Sequence, residues 1–458
     1  MYMRIHVLVL LMINFLPPQA VMSGSDIRNG YQVTVAIPSE YTQGFLGRAF
    51  VMENEQGMPH FRAAVTVEGV EEKENYSCSL DVLLGNVRVW SSGHLSRFHT
   101  AERCVLELAE DGDLRLKDQT GRIGWRSGTS GQGVERLTLL RTGNLVLVDD
   151  ENSIKWQSFN FPTDTMLWGQ KLSSQTRLTS FVRNSTLFYS LEIQDDNIGL
   201  FLNIGNPKSK KYSYWEYQPS SRHSVTFVQL STFGLEIFDG DHKFDQIRPP
   251  PGAEPIRFLA VDNSTGNLRM YYYSSEENEF KALYQAINYT CDLPLSCRPY
   301  GVCMSSGSCS CIGGGGGSGE GVCGGRGAEM VEVEGVVSVL RGVEYKGNVS
   351  SKEECGEVCV DECECLAAEY LEDQELCYVY EVVRGVKEGG GGGVRYMVKV
   401  GGGGGRRDEG GKGGGGGGLK RWVIIVVGVV DGFIIFVVLG GLGWYYYFRS
   451  RMNFSVRR

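Results

Sequence analysis

Apolar and polar residues alternate in short runs through most of the chain. The clearest case is a pair of segments, residues 106–118 and 137–149, that both read L-x-L-x-x-x-G-x-L-x-L-x-D and lie 31 residues apart. Leucines at every second position on either side of a turn glycine predict two short strands joined by a hairpin, each with one buried face. A tryptophan followed two residues later by serine recurs at Trp90/Ser92, Trp125/Ser127 and Trp156/Ser158. Three large apolar side chains at near-equal spacing predict three sheets around a shared axis, each sheet giving one indole to a common core. From about residue 178 to 285 the alternation continues, as in 186–193, 224–230 and 268–273, so strands are expected there and long helices are not.

Two segments break the alternation. Residues 1–23 carry Arg4, an apolar run over 7–16, then Pro17, Pro18 and small residues near Ala20 and Ser23, the layout of a secretory signal peptide with cleavage between about Ala20 and Gly24. Residues 422–448 are apolar but for Asp431, with Trp422 and Trp444 to Tyr447 at the ends, which predicts one transmembrane helix. Together they predict a single-pass type I protein of the plasma membrane, N-terminus outside, with a cytoplasmic tail at 449–458. A carboxylate such as Asp431 in mid-membrane is costly unless paired, so Asp431 is a candidate contact to a partner helix.

Composition narrows the function. The net charge of −9, with 45 basic and 54 acidic side chains and no basic stripe, argues against nucleic acid as a partner. Of 13 cysteines, all at or after Cys78, eleven fall between Cys291 and Cys377, a density that suits disulfide-stapled modules in an oxidising compartment and not zinc sites. Cys78 and Cys104 stand alone in the first half and are expected to pair. His94, His99 and Cys104 have no fourth ligand at convincing spacing, so no metal and no cofactor is expected. Sequons at Asn75, Asn184, Asn263, Asn288 and Asn348 fit a glycosylated ectodomain. The 62 glycines are concentrated in 313–418, and those at 401–421 read as a flexible stalk ahead of the membrane helix.

The leucine repeats, the tryptophan spacing and Trp156-Gln-Ser-Phe-Asn-Phe-Pro-Thr-Asp-Thr-Met-Leu-Trp-Gly-Gln-Lys-Leu172 resemble the bulb-type (G-type) lectin domain, a three-sheet β-prism, as it occurs in the S-domain receptors of plants. Residues 258–273 resemble a hairpin of the S-locus-glycoprotein region, 291–323 an epidermal-growth-factor-like module, and the cysteines from Cys355 to Cys377 a PAN/apple module. The resemblance implies a mainly β architecture: lectin domain 24–172, S-locus-like domain 173–287, growth-factor-like module 288–325, PAN domain 326–400, then stalk and membrane helix. It implies pairs Cys291–Cys303, Cys297–Cys309, Cys311–Cys323, Cys355–Cys377 and Cys359–Cys365, with Cys363 left for Cys323 or for nothing. Ser351-Lys-Glu-Glu354 is placed to cap a short helix carrying Cys355 and Cys359.

The family's sugar motif, Q-x-D-x-N-x-V-x-Y, falls on Ala109, Asp111, Asp113, Arg115 and Lys117 in the first repeat, and on Leu140, Thr142, Asn144, Val146 and Val148 in the second. Asp111, Asp113, Asn144 and Val146 are the candidate carbohydrate contacts. No kinase, nucleophile-elbow or metalloprotease motif appears, so no enzymatic activity is expected. The reading is a cell-surface receptor-like protein recognising a glycan or glycoprotein and signalling through a kinase-bearing receptor, met by the ectodomain or by Asp431. The alternative is a co-receptor or decoy that binds related receptors and no sugar.

Overall fold

The computed structural model describes residues 26–37, 44–69, 76–183, 185–205, 210–220, 223–312, 329–389 and 392–400. The predicted signal peptide, stalk, membrane helix and tail lie outside these residues, as do Asn75, Asn184, Cys323 and Asp431. Among the described residues no helix is long and apolar enough to cross a membrane.

The chain is mainly β, with one α-helix of ten residues among the described residues. Its first part is built from three sheets. Leu46–Asn54, Phe61–Gly69, Tyr76–Leu84 and Val87–Ser91 form the first, with Phe98–Thr100 on the third of these strands. Tyr31–Ala36, Arg103–Leu108, Leu114–Lys117 and Ile123–Arg126 form the second. Ile27–Arg28, Arg136–Leu139, Leu145–Val148 and Ile154–Gln157 form the third. The repeat leucines point inward, with Leu106, Leu108, Leu114, Leu116, Leu137, Leu145 and Leu147 fully buried. Trp90, Trp125 and Trp156, one per sheet, meet edge to face with ring centroids 5.7–6.3 Å apart.

A second three-sheet unit follows, and it repeats the strand connections of the first. In each unit the opening strand joins the third sheet, the next joins the second, and four consecutive strands then build the first. The opening strands here are Thr165–Leu167, paired with Phe258–Val261, and Lys171–Ser173, paired with Phe227–Ser231; Leu178–Phe181 through Lys211–Tyr217 build the four-stranded sheet. Residues 165–172, placed with the lectin domain by sequence, therefore belong to this second unit. Met166 and Leu172 are buried in the second unit's core, whereas Leu167 packs into the first unit's. Tyr212 is buried and stacks on Tyr380, and the half-buried Tyr271 stacks on Phe258 at 4.7 Å.

The cysteine-rich segments share structure. Gly301–Cys303 pairs antiparallel with Cys309–Cys311 and parallel with Val386–Glu388, so the growth-factor-like and PAN regions form one sheet. Segments this short bury too little surface alone, and they pool it: Val302, Ile312, Val336, Tyr380 and Tyr396 belong to the same core as the second unit's Leu200, Val228 and Leu268. A five-stranded sheet, Glu329–Val333, Val394–Val400, Ala367–Leu371, Leu376–Tyr380 and Val343–Glu344, carries helix α1, Lys352–Asp361. Ser351 caps α1 by accepting the Glu354 backbone N–H at 3.2 Å, and Glu354 reaches back to the Ser350 N–H at 2.8 Å. Disulfides join Cys78–Cys104, Cys291–Cys303, Cys297–Cys309, Cys355–Cys377 and Cys359–Cys365. Among the described residues Cys311 and Cys363 are exposed and form no disulfide, and Cys323, the expected partner of Cys311, lies outside them.

Candidate functional site

The candidate contacts sit on the two leucine-repeat hairpins. Each hairpin turns at a glycine in the left-handed region, Gly112 (φ +80°) and Gly143 (φ +82°), and a Cβ at Gly143 would meet the Phe61 ring at 2.4 Å. The turn drops the following residue, Asp113 or Asn144, into the interior at the start of the next strand.

Asp113 is fully buried and accepts four hydrogen bonds. Its Oδ1 accepts from Ser127 Oγ (2.9 Å) and from the backbone N–H of Gly128 (2.8 Å) and Thr129 (3.2 Å). Its Oδ2 accepts from Arg115 Nε at 2.9 Å. Burial pushes the Asp113 carboxyl up, but Arg115, Ser127 and the two backbone donors outweigh it and hold the group below its ordinary range. Asp111, at the turn, accepts from Ser130 Oγ at 2.8 Å, from the Asp113 N–H at 3.2 Å, and from Arg115. Arg115, at the motif's valine position, thus lies across both carboxylates.

The second hairpin repeats the arrangement in neutral form. Asn144 Oδ1 accepts from Ser158 Oγ (3.2 Å) and the Phe159 N–H (3.3 Å), and its Nδ2 donates to Gln157 Oε1 at 2.8 Å. Val146 is buried. The residue that completes both clasps is the serine of the Trp-x-Ser repeat. Ser92, Ser127 and Ser158 each accept a backbone N–H from the neighbouring strand, those of Leu80, Leu114 and Leu145, at 2.9–3.0 Å. The structure therefore brings Asp111 and Asp113 together with Arg115, sets Asn144 and Val146 in a second, separate hairpin, and gives the polar groups of all of them partners within the fold. Arg115 and the clasp serines were not singled out as site residues, although the repeated Trp-x-Ser spacing marks the serines.

Elsewhere, Asn263, Asn288 and Asn348 are exposed. Cys104 is committed to Cys78, and His94 bonds through Nε2 to the Thr179 carbonyl at 2.7 Å.

Comparison with known proteins agrees with this layout. Residues 88–186 match the D-mannose binding lectin family and residues 329–397 match the PAN domain. The chain carries the lectin and PAN regions of the plant S-domain proteins and is similar to them. Its relatives in Arabidopsis thaliana include a PAN domain-containing protein, 27% identical over 60% of this chain and 59% of that one. EP1-like glycoprotein 4 is 28% identical over 63% of this chain and 73% of its own length. A G-type lectin S-receptor-like serine/threonine-protein kinase is 26% identical over 66% of this chain and 41% of its own. The chain thus spans 59% of the length of the first of these relatives and 41% of that of the kinase.

Proposed function

We propose that the chain is a receptor-like cell-surface protein with a lectin-type ectodomain, non-enzymatic, that acts by binding other proteins and not by reading mannose at its hairpins. The observation that carries this reading is the saturation of the hairpin groups. A sugar hydroxyl at Asp113 or Asn144 would have to displace the serine and backbone donors that hold the turn, and each such bond contributes about 1 kcal/mol to stability. Arg115 would also have to leave two carboxylates. Weak sugar affinity does not offset that cost.

Relatives that carry a kinase next to the same kind of ectodomain support association with kinase-bearing S-domain receptors as the working partnership. A type I anchor through residues 422–448, with Asp431 facing a partner helix, belongs to the same proposal, as does carbohydrate attached at the exposed sequons. The test is pairwise binding of the purified chain to the ectodomains of kinase-bearing S-domain relatives by biolayer interferometry. Saturable binding to at least one, retained after enzymatic removal of N-glycans from both partners, is the expected result. Binding that disappears on deglycosylation of the partner would overturn the protein-recognition reading.

A further inference from the structure

The hairpins do not use the end of the first unit's axis. There the chain leaves each of the three clustered tryptophans through a loop, and the loops ring a cavity of about 570 Å³. This lies within the usual range of about 300–1,000 Å³ for small-molecule sites. Trp90, Trp125 and Trp156 line it, and Thr176, Arg177 and Thr179 of the second unit close one side. Of the clasp serines, Ser92 and Ser127 reach it.

Two features show what this cavity is suited to hold. The first is exposed apolar surface around its mouth. Phe161 is 55% exposed while stacked on Trp156 (5.8 Å, 20°), and Leu95 is 72% exposed. Trp125 is only partly buried. An aromatic ring entering between Phe161 and Leu95 would extend the packed aromatic series of the indoles and Phe161. The second is charge. In a chain with nine more acidic than basic side chains, no aspartate or glutamate lines this cavity, whereas Arg126 and Arg177 both do. Arg177 is held by Glu192 at 3.2 Å and lies over the Phe188 ring. The Arg126 guanidinium is exposed and has no partner among the described residues.

We propose that the cavity at the end of the tryptophan axis binds a small aromatic anion, its ring against Phe161 and the indoles and its acid group on Arg126. A planar guanidinium takes a carboxylate or sulfonate through two parallel hydrogen bonds, and the apolar walls lower the competition from water.

The probe is 2-naphthalenesulfonate, titrated by calorimetry into the full chain in nanodiscs, with empty nanodiscs as the blank. Saturable one-to-one binding is expected. Arg126→Gln is expected to weaken it about tenfold, which corresponds to about 1.4 kcal/mol. Phe161→Ala is expected to weaken it by a similar factor. Both side chains are exposed, and unchanged thermal melting checks that the variants fold. Phe233→Ala, at a 74% exposed site on a hairpin of the second unit, is expected to bind as wild type does. Neutral 2-naphthalenemethanol is expected to bind at least tenfold more weakly than the sulfonate. No saturable binding, undiminished binding in Arg126→Gln and Phe161→Ala, or equal affinity for the neutral ring would each overturn the proposal.

Discussion

A buried carboxylate that accepts four hydrogen bonds is a structural commitment, and Asp113 illustrates its consequences. Asp113→Ala removes the acceptor for Ser127, Gly128 and Thr129 and leaves Arg115 half-paired, so it is expected to destabilise the chain by about 3 kcal/mol in urea unfolding. The repeat supplies its own control. Asn144 does the same work 31 residues on, so Asp113→Asn is expected to lose less than half as much, and Asp111→Ala, at an exposed turn, less than about 1 kcal/mol. The aspartates that end the two repeats are also clasps. Asp118 accepts from the Thr120 hydroxyl (2.7 Å) and N–H (2.8 Å) and from Arg122, which takes it down to about 2. Asp149, with Lys155 and the Ser153 N–H, is shifted in the same direction. Folded-state values below the unfolded one mean that the folded chain binds fewer protons, so these groups stabilise it above about pH 4 and cease to do so as pH falls towards about 2. Urea midpoints are therefore expected to hold from pH 7 to about 4.5 and to drop below pH 4, with a smaller drop in Asp118→Asn.

At the scale of elements, what was legible in the sequence depended on local repetition. Leucine alternation and the Trp-x-Ser spacing placed the hairpins and the indole cluster, because strands of period two with a fixed offset leave a direct trace. The Ser351–Glu354 cap of α1 was legible for the same reason, being set by residues within one turn. The opposite end of α1 was not. Lys399, buried and distant in sequence, donates to the carbonyls of Cys359 (3.0 Å), Val360 (3.0 Å) and Glu362 (3.1 Å), groups a helix C-terminus leaves unpaired. Lys399→Met keeps the apolar stem and removes the donors, so it is expected to cost about 2 kcal/mol and to speed amide exchange in α1 more than in the first three sheets. The site candidates were legible as positions only. Sequence could place Asp113 and Asn144 on the motif, but which way a hairpin residue faces is decided by the serines and Arg115 that surround it.

The whole molecule contains what no local signal carried. The second unit repeats the connections of the first without repeated leucine hairpins or a tryptophan cluster, since its core of Leu200, Tyr212, Ile237 and Met270 uses other side chains to fill the same shape. Nor does spacing reveal that the growth-factor-like and PAN segments share a sheet, joined by contacts such as the Ser305 N–H on Glu388, 83 residues apart. The PAN region is fixed to the second unit by Arg341, whose N–H reaches the Ser213 carbonyl at 2.7 Å and whose guanidinium meets Glu216, and by Lys210 between Glu362 and Glu381. Arg341→Glu with Lys210→Glu is expected to loosen this join and to open the 329–400 region to limited trypsin digestion while the first unit stays resistant. A joined assembly of this kind presents one continuous surface to a partner protein, in keeping with recognition that does not run through the lectin hairpins. The central claim is tested most directly by titrating the purified chain with a mannose oligosaccharide in a calorimeter. The expected result is no saturable heat up to millimolar sugar; saturable binding that Asp111→Ala abolishes without changing the melting temperature would contradict it.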